Sequence, residues 1–271
     1  MGAPGSTTTV SPRRIRLEAS SFCQLRCPSC PTTSGAIHPA VGSGFLKFED
    51  FQRLLDLNPN LERIEISNYG EVFLNPHLLR ILEYAHRKGV SITLENGVNL
   101  NHAKEEVLEG LVSYRVKIVT CSIDGASPET YRIYRVRGDF HAVIGNIERI
   151  NVHKRAQGSD LPNLVWQFVV FGHNEHEIPI AREMAERLGM KFRTKLTWDS
   201  KLSPIRDRSS SAPRQAYRPR VRRLKNSTAR NSRAASVMNC GMTHRSIGME
   251  KFWAAAGIFG EISAATPSAR A

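Results

Sequence analysis

The chain has 271 residues, 41% of them hydrophobic, which is enough for one large core or two small ones. Its formal charge of +13 would suit nucleic acid or an anionic membrane, but residues 209–271 carry 11 Lys+Arg against 2 Asp+Glu, leaving 27 against 23 for residues 1–208. No apolar run approaches the ~18 residues needed to cross a bilayer. Five cysteines, three of them within eight residues, argue against a disulfide framework and for a reducing cytoplasm.

Residues 1–12 open on MGAPGS, which formally fits an N-myristoylation pattern but reads as a disordered small-residue leader. From Arg13 onward, six β-rich runs alternate with helical patterns. The runs are IRLEA (15–19), RIEIS (63–67), VSITLEN (90–96), KIVTCSID (117–124), LVWQFVVF (164–171) and KFRTKLTW (191–198). Apolar residues at three-to-four spacing predict helices over 48–57, 77–89, 103–112, 139–155 and 177–189, with Gly89 and Gly189 as stops. This is the pattern of repeated βα units on a parallel sheet, and it predicts one α/β domain over residues 13–208. Beyond Arg208, SSSAPRQAYRPRVRRLKNSTARNSRAAS has no apolar period and predicts a disordered or irregular basic tail over 209–271.

SSFCQLRCPSCPT follows the first strand directly, spacing Cys23, Cys27 and Cys30 as CxxxCxxC. Three thiolates on one loop can face one metal centre, and soft sulfur favours zinc or an iron-sulfur cluster. A structural zinc site needs a fourth ligand at short spacing; no second CxxC follows, and the nearest histidine is His38. A cluster with three protein ligands leaves one iron open to a cofactor. Zinc binding and simple electron transfer remain the alternatives.

The cysteine motif resembles that of the radical S-adenosylmethionine (SAM) superfamily, whose partial (β/α)6 TIM barrel carries it after the first strand. The resemblance covers about residues 13–208 and implies a [4Fe-4S] cluster on Cys23, Cys27 and Cys30. SNYGE (67–71) is similar to the family's Gly-Gly-Glu segment, implying that Gly70 and Glu71 receive the methionine amino group, with Tyr69 a departure. ENG (95–97) is similar to Thr-Asn-Gly and implies a cofactor role for Asn96. CSIDGASPETYRIYRVRGDF (121–140) resembles the SIDG segment of the subgroup with a C-terminal SPASM extension. It implies that Ser122 and Asp124 point towards the ribose and methionine, with Arg135 opposite the SAM carboxylate. Cys121, on the other strand face by period two, reads as a small core residue. FVVFGHNEHEI (168–178) resembles the adenine-binding strand end, implying Val170 as the adenine contact, whereas Asn174 is expected to cap the next helix.

The resemblance implies reductive cleavage of S-adenosyl-L-methionine to methionine and a 5'-deoxyadenosyl radical, which abstracts hydrogen from a substrate. It implies a one-electron donor of the flavodoxin or ferredoxin type and, through the SPASM relatives, a peptide or protein substrate. A membrane is not among the expected partners, nor is nucleic acid, although a basic tail binding nucleic acid is a rival reading, as is a non-catalytic Fe-S protein.

The tail offers only Cys240 where SPASM relatives carry further cysteines. Read one register off with synonymous codons, Asn239 to Ser263 admits LWDDPQINWDGKVLGCCRNFWGDF, with a Trp-Asp-Gly turn and paired cysteines. The same register admits C-x-E-L-W across Ser236 to Gly241 and EFVR just after Arg208. The expectation is that a frameshift near Arg208 replaced a SPASM-like region and left the sixth strand without its own covering helix.

Overall fold

The computed structural model describes residues 11–37, 42–197, 199 and 201–206. The leader up to residue 10, His38, Trp198 and the tail over 209–271 with Cys240 lie outside the described residues. Six strands form one parallel sheet in sequential order: β1 (Arg14–Arg16), β2 (Arg63–Glu65), β3 (Ser91–Val98), β4 (Ile118–Ser122), β5 (Asn163–Val170) and β6 (Lys191–Leu196). Helices α1 (Pro31–Ser34), α2 (Phe48–Leu57), α3 (Leu78–Arg87), α4 (Glu105–Ser113), α5 (Pro128–Tyr134), α6 (Phe140–Ala156) and α7 (Ile178–Arg187) lie in the connections. The parallel α/β sheet is the one expected from the alternation, and its six strands match the partial (β/α)6 barrel that the resemblance implied.

Period two sorts the strand side chains between two environments. Val119, Cys121 and Ile123 at β4, with Leu164, Trp166, Phe168 and Val170 of β5, enter the main core with the helices. The helices answer at three-to-four spacing, through Phe48, Phe51 and Leu55 of α2 and Leu78, Ile81, Leu82 and Ala85 of α3. The opposite face is polar: Glu65 accepts from Ser67 and Thr93, and Gln167 Nε2 donates to Ser122 Oγ at 3.4 Å. Arg193 of β6 donates to the Glu95 carbonyl of β3 at 3.3 Å. A flat sheet would set those strands roughly 14 Å apart, so the bond requires the polar face to curl inward as a lumen.

Two helices were not legible as separate elements. The single turn α1 follows Cys30, and α5 occupies what the sequence reading left as an unbroken run from SIDG to residue 139. Ser127 caps α5 by accepting from Thr130 N, and Pro128 pre-sets its first turn. β1 and β2 are also shorter than expected. Leu17 N still donates to the Glu65 carbonyl at 2.8 Å, but the chain then leaves the ladder to form the cysteine loop. At β6, Phe192 packs on Trp166 and Phe168 under Arg182 of α7, whereas Leu196 is 52% exposed. The expected bare flank is thus confined to one end of the strand among the described residues.

The β3–β4 ladder shifts register between Leu94 and Val98, and Gly97 sits in that bulge at φ +119°. A Cβ there would lie 2.2 Å from Ser122 Oγ. Gly97→Ala should therefore lower unfolding stability by about 1–3 kcal/mol, through strain and the collision together. Urea denaturation measures it; a loss below ~0.5 kcal/mol would show that the bulge accepts a side chain.

Candidate functional site

The cysteine loop is fastened to the barrel by backbone contacts before any side chain acts. Glu71 N donates to the Phe22 carbonyl at 2.7 Å, and Arg26 N donates to the Val136 carbonyl at 3.0 Å. Cys30 N donates to the Cys27 carbonyl, and the Cys30 carbonyl accepts from Thr33 N and Ser34 N, which opens α1. Gly70 lies directly beneath the loop. A Cβ on it would stand 1.9 Å from the Ser20 carbonyl oxygen and 2.8 Å from that of Phe22, so only glycine allows this approach.

Cys23, Cys27 and Cys30 are all free thiols. Cys27 is buried with Leu25, Tyr134 and Phe171; Cys23, Cys30, Val169 and Leu202 pack against that group. Burial pushes the Cys23 thiol up to about 11, helped by the charge of Glu71 and by the other two cysteines. Burial also raises Cys27, with Arg135 opposing. Among the described residues no three His, Cys, Asp or Glu side chains converge as a single-ion site. The donor set still suits a cluster: three thiols of one loop, an apolar wall, and an N–H donor to two of the sulfurs.

Asn99 is the donor to Cys23, with Nδ2 at 3.7 Å from Sγ. Its Oδ1 accepts from Gln24 Nε2 at 2.8 Å, and its backbone N donates to Glu71 Oε2 at 2.7 Å. The other Glu71 oxygen accepts from Phe73 N at 3.3 Å, so this carboxylate, 2% exposed, ties the β2 end to the β3 end. Burial pushes its pKa up to about 7 despite those bonds. Glu18 accepts from Tyr69 N at 3.0 Å and Gly70 N at 3.2 Å, and Tyr69 itself is exposed. Asn96 stands at the same rim, its N donating to Ser67 Oγ and its Nδ2 to Asn68 Oδ1.

Arg135 is the donor to Cys27. Its guanidinium, just past the end of α5, lies 3.8 Å from Cys27 Sγ and donates through Nε to Asp124 Oδ2 at 2.7 Å. Asp124 is fully buried, and its second oxygen accepts from Val169 N at 2.7 Å. Burial pushes the Asp124 carboxyl up, with Arg135 opposing. Burial likewise works against charge on Arg135, but Asp124 and Cys27 outweigh it and raise its pKa. The 2.7 Å contact identifies an ion pair, since a protonated Asp124 would leave the guanidinium buried without a counter-charge.

Of the residues named from the sequence, Cys23, Cys27, Cys30, Glu71, Asp124 and Arg135 are linked through these contacts, and Ser122 lies beside Gly97 and Gln167 on the lumen face. Two readings are corrected. Val170 points into the helix-side core with Trp166 and Phe168, because an even step from Trp166 cannot reach the lumen; Val169 is the strand-end residue that packs by the cysteine loop. Asn174 does not cap the following turn with its side chain. It bonds backward instead, accepting from Phe171 N at 2.8 Å and donating to the carbonyls of Val169 and Asp124. Cys121 is a buried core residue, as read from its face. Sequence reasoning missed Asn99, Gln24 and Glu18. Their signal was only a polar residue just beyond a strand end or within the loop, which the chain repeats at Asn68 and Asn101 without a thiol contact.

A family profile described as Radical SAM superfamily matches residues 17–185. The AdoMet-dependent heme synthase of Methanosarcina barkeri is 29% identical over 184 residues, 67% of this chain and 49% of that protein. The chain thus spans about half the length of that curated relative. Streptococcus suis SuiB bound to S-adenosylmethionine superposes with TM-score 0.56 at 13% identity, over 70% of this chain and 40% of SuiB. SuiB bound to its precursor peptide SuiA gives 0.55 at 12% identity, over 72% and 42%. At such identities the superpositions establish the fold.

Glu71 gives a signed pH dependence. A folded pKa near 7 against an ordinary value of 4.5 means that the folded state binds the extra proton between those limits. Stability of the apoprotein should therefore fall as pH rises from about 4.5 to 7, by on the order of 3 kcal/mol from this group. Glu71→Gln should flatten that part of the profile in urea titrations at stepped pH; an unchanged slope would remove Glu71 as its source.

Proposed function

The chain belongs to the radical SAM superfamily, whose members carry out SAM-dependent radical chemistry, and on that premise we propose that Cys23, Cys27 and Cys30 hold a [4Fe-4S] cluster serving SAM cleavage. The observation that carries the reading is the pair of contacts to two of the three sulfurs, from Asn99 just past β3 to Cys23 and from Arg135 just past α5 to Cys27. When bound, cluster and SAM supply one-electron cleavage of the sulfonium and a 5'-deoxyadenosyl radical. The chain's own residues hold and shield that chemistry. Arg135 keeps positive charge beside Cys27, and Asp124 fixes the guanidinium and the end of β5 together. Leu25, Tyr134 and Phe171 shield Cys27 from water, with Cys23, Cys30 and Leu202 half-buried against them.

At the rim, Ser122, Asn96 and the backbone about Gly70 are positions for the ribose and methionine portions, and Val169 takes the adenine role first read onto Val170. Nε2 of His173 adds a group for the cofactor: among the described residues it is the buried side-chain polar atom without a hydrogen-bond partner, while its Nδ1 meets Ser203 Oγ at 2.9 Å. The one-electron donor is of flavodoxin or ferredoxin type, the substrate is a peptide, and the four free cysteines among the described residues suit a reducing cytoplasm.

Anaerobic reconstitution, reduction and addition of SAM should yield 5'-deoxyadenosine. Cys27→Ala should abolish cluster loading and Cys121→Ala should leave it intact. A folded, cluster-loaded protein that makes no 5'-deoxyadenosine would reduce the reading to a non-catalytic Fe-S protein.

The composition of residues 209–271 supports a further part of the proposal, that they are translated out of frame. Sequencing the coding DNA tests it. Restoring one register near codon 208 should open a frame with the paired cysteines, and a frame closed by stop codons would defeat the idea.

A further inference from the structure

We propose that the open seam between β1 and β6 binds an extended acidic peptide segment, laid along the free edge of β6 with alternate carboxylates against Arg193 and Lys195. The proposal rests on the radical reading only in making this peptide the substrate. Six strands in sequential order leave β1 and β6 each with one neighbour, so among the described residues both seam edges have unpaired backbone groups.

Period two then decides what faces the opening. Ile15 of β1 packs against the core, which turns Arg14 and Arg16 to the lumen side. Phe192 of β6 packs on Trp166 and Phe168, which turns Lys191, Arg193 and Lys195 the same way. Both lips of the seam are therefore cationic. None of these five side chains forms an ion pair with a described residue, although residues 1–208 are close to charge balance.

Arg193 is the most informative of them. It donates to Gln167 Oε1 at 2.8 Å and to the Glu95 carbonyl at 3.3 Å, both neutral oxygens. Partial burial pushes its pKa down, and the nearby Glu95 carboxylate opposes that without pairing with it. Edge lysines alone serve to block sheet-to-sheet aggregation. That role does not explain an arginine reaching across the lumen, or the arginines on the opposite lip.

Arg193 and Lys195 are two residues apart on one strand, about 6.6 Å along it, and an extended peptide repeats its side chains on one face at the same interval. Strand addition would supply the backbone ladder and leave acidic side chains opposite the two cations.

Fluorescence anisotropy with the full chain and a labelled Glu-Val-Glu-Val-Glu peptide tests this. The Gln-Val-Gln-Val-Gln peptide should bind at least tenfold more weakly, and the pair Arg193→Gln and Lys195→Gln should weaken the acidic peptide to the same degree, while Arg187→Gln on α7 leaves it unchanged. The pair Arg193→Glu and Lys195→Glu should instead favour a Lys-Val-Lys-Val-Lys peptide, which a misfolded variant would not do. Equal binding of the Glu and Gln peptides, no effect of the double change, or displacement of the peptide by equimolar tricarballylate or duplex DNA would each overturn the proposal. Production of 5'-deoxyadenosine is read separately, so peptide binding without it leaves this site standing while the radical reading falls, and the reverse result does the opposite.

Discussion

The half-buried guanidinium of Arg135 joins the parts on which the site depends. It leaves α5, takes its counter-charge from Asp124 at the end of β4, and reaches the sulfur of Cys27. Asp124 in turn holds the backbone of Val169 in β5. Placing two charges away from water is costly unless both are paired and bonded. The cost ties the geometry down: moving α5 off the end of β4 would leave both ions uncompensated, and moving the cysteine loop or the β5 end would take a hydrogen bond from one of them. Asn174 adds three backbone bonds at the same junction.

A second tie works on the other side of the loop without a salt bridge. Glu71 accepts from Phe73 N and Asn99 N, and Asn99 then meets Cys23. Both carboxylates are used to hold backbone and donors in place, so the thiols are arranged by the fold itself. Such preorganisation is what a loop of only eight residues from its first to its last cysteine needs, because its own hydrogen bonds are few.

The fold was legible because each strand run carries its own period. Trp166 and Phe168 announce a core face, and the apolar steps of α2 and α3 announce theirs. The short α5 was not legible, since Pro128 and its serine cap look like a loop when no long apolar stripe follows. At the site, the cysteine spacing and the SIDG segment located the reacting end of the barrel, and the strand ends did gather there. The finer assignments failed where parity counted by one residue, as with Val170, and where an asparagine's partners lie on the preceding backbone, as with Asn174. No local pattern in 96–101 distinguishes Asn99 from Asn96 or Asn101, because the thiol it meets is 76 positions away.

At the barrel, three carboxylates and five cations stand at different depths. Glu65, Glu71 and Asp124 are buried and satisfied by backbone and side-chain donors, whereas Arg14, Arg16, Lys191, Arg193 and Lys195 line the edges without ionic partners among the described residues. A negative group approaching along β6 meets Arg193 and Lys195 before it reaches Glu65, Glu71 or Asp124, with the exposed Glu95 beside Arg193. This order lets the inner carboxylates serve architecture without repelling an anionic ligand at the entrance, since a charge held by its own donors is screened where it stands.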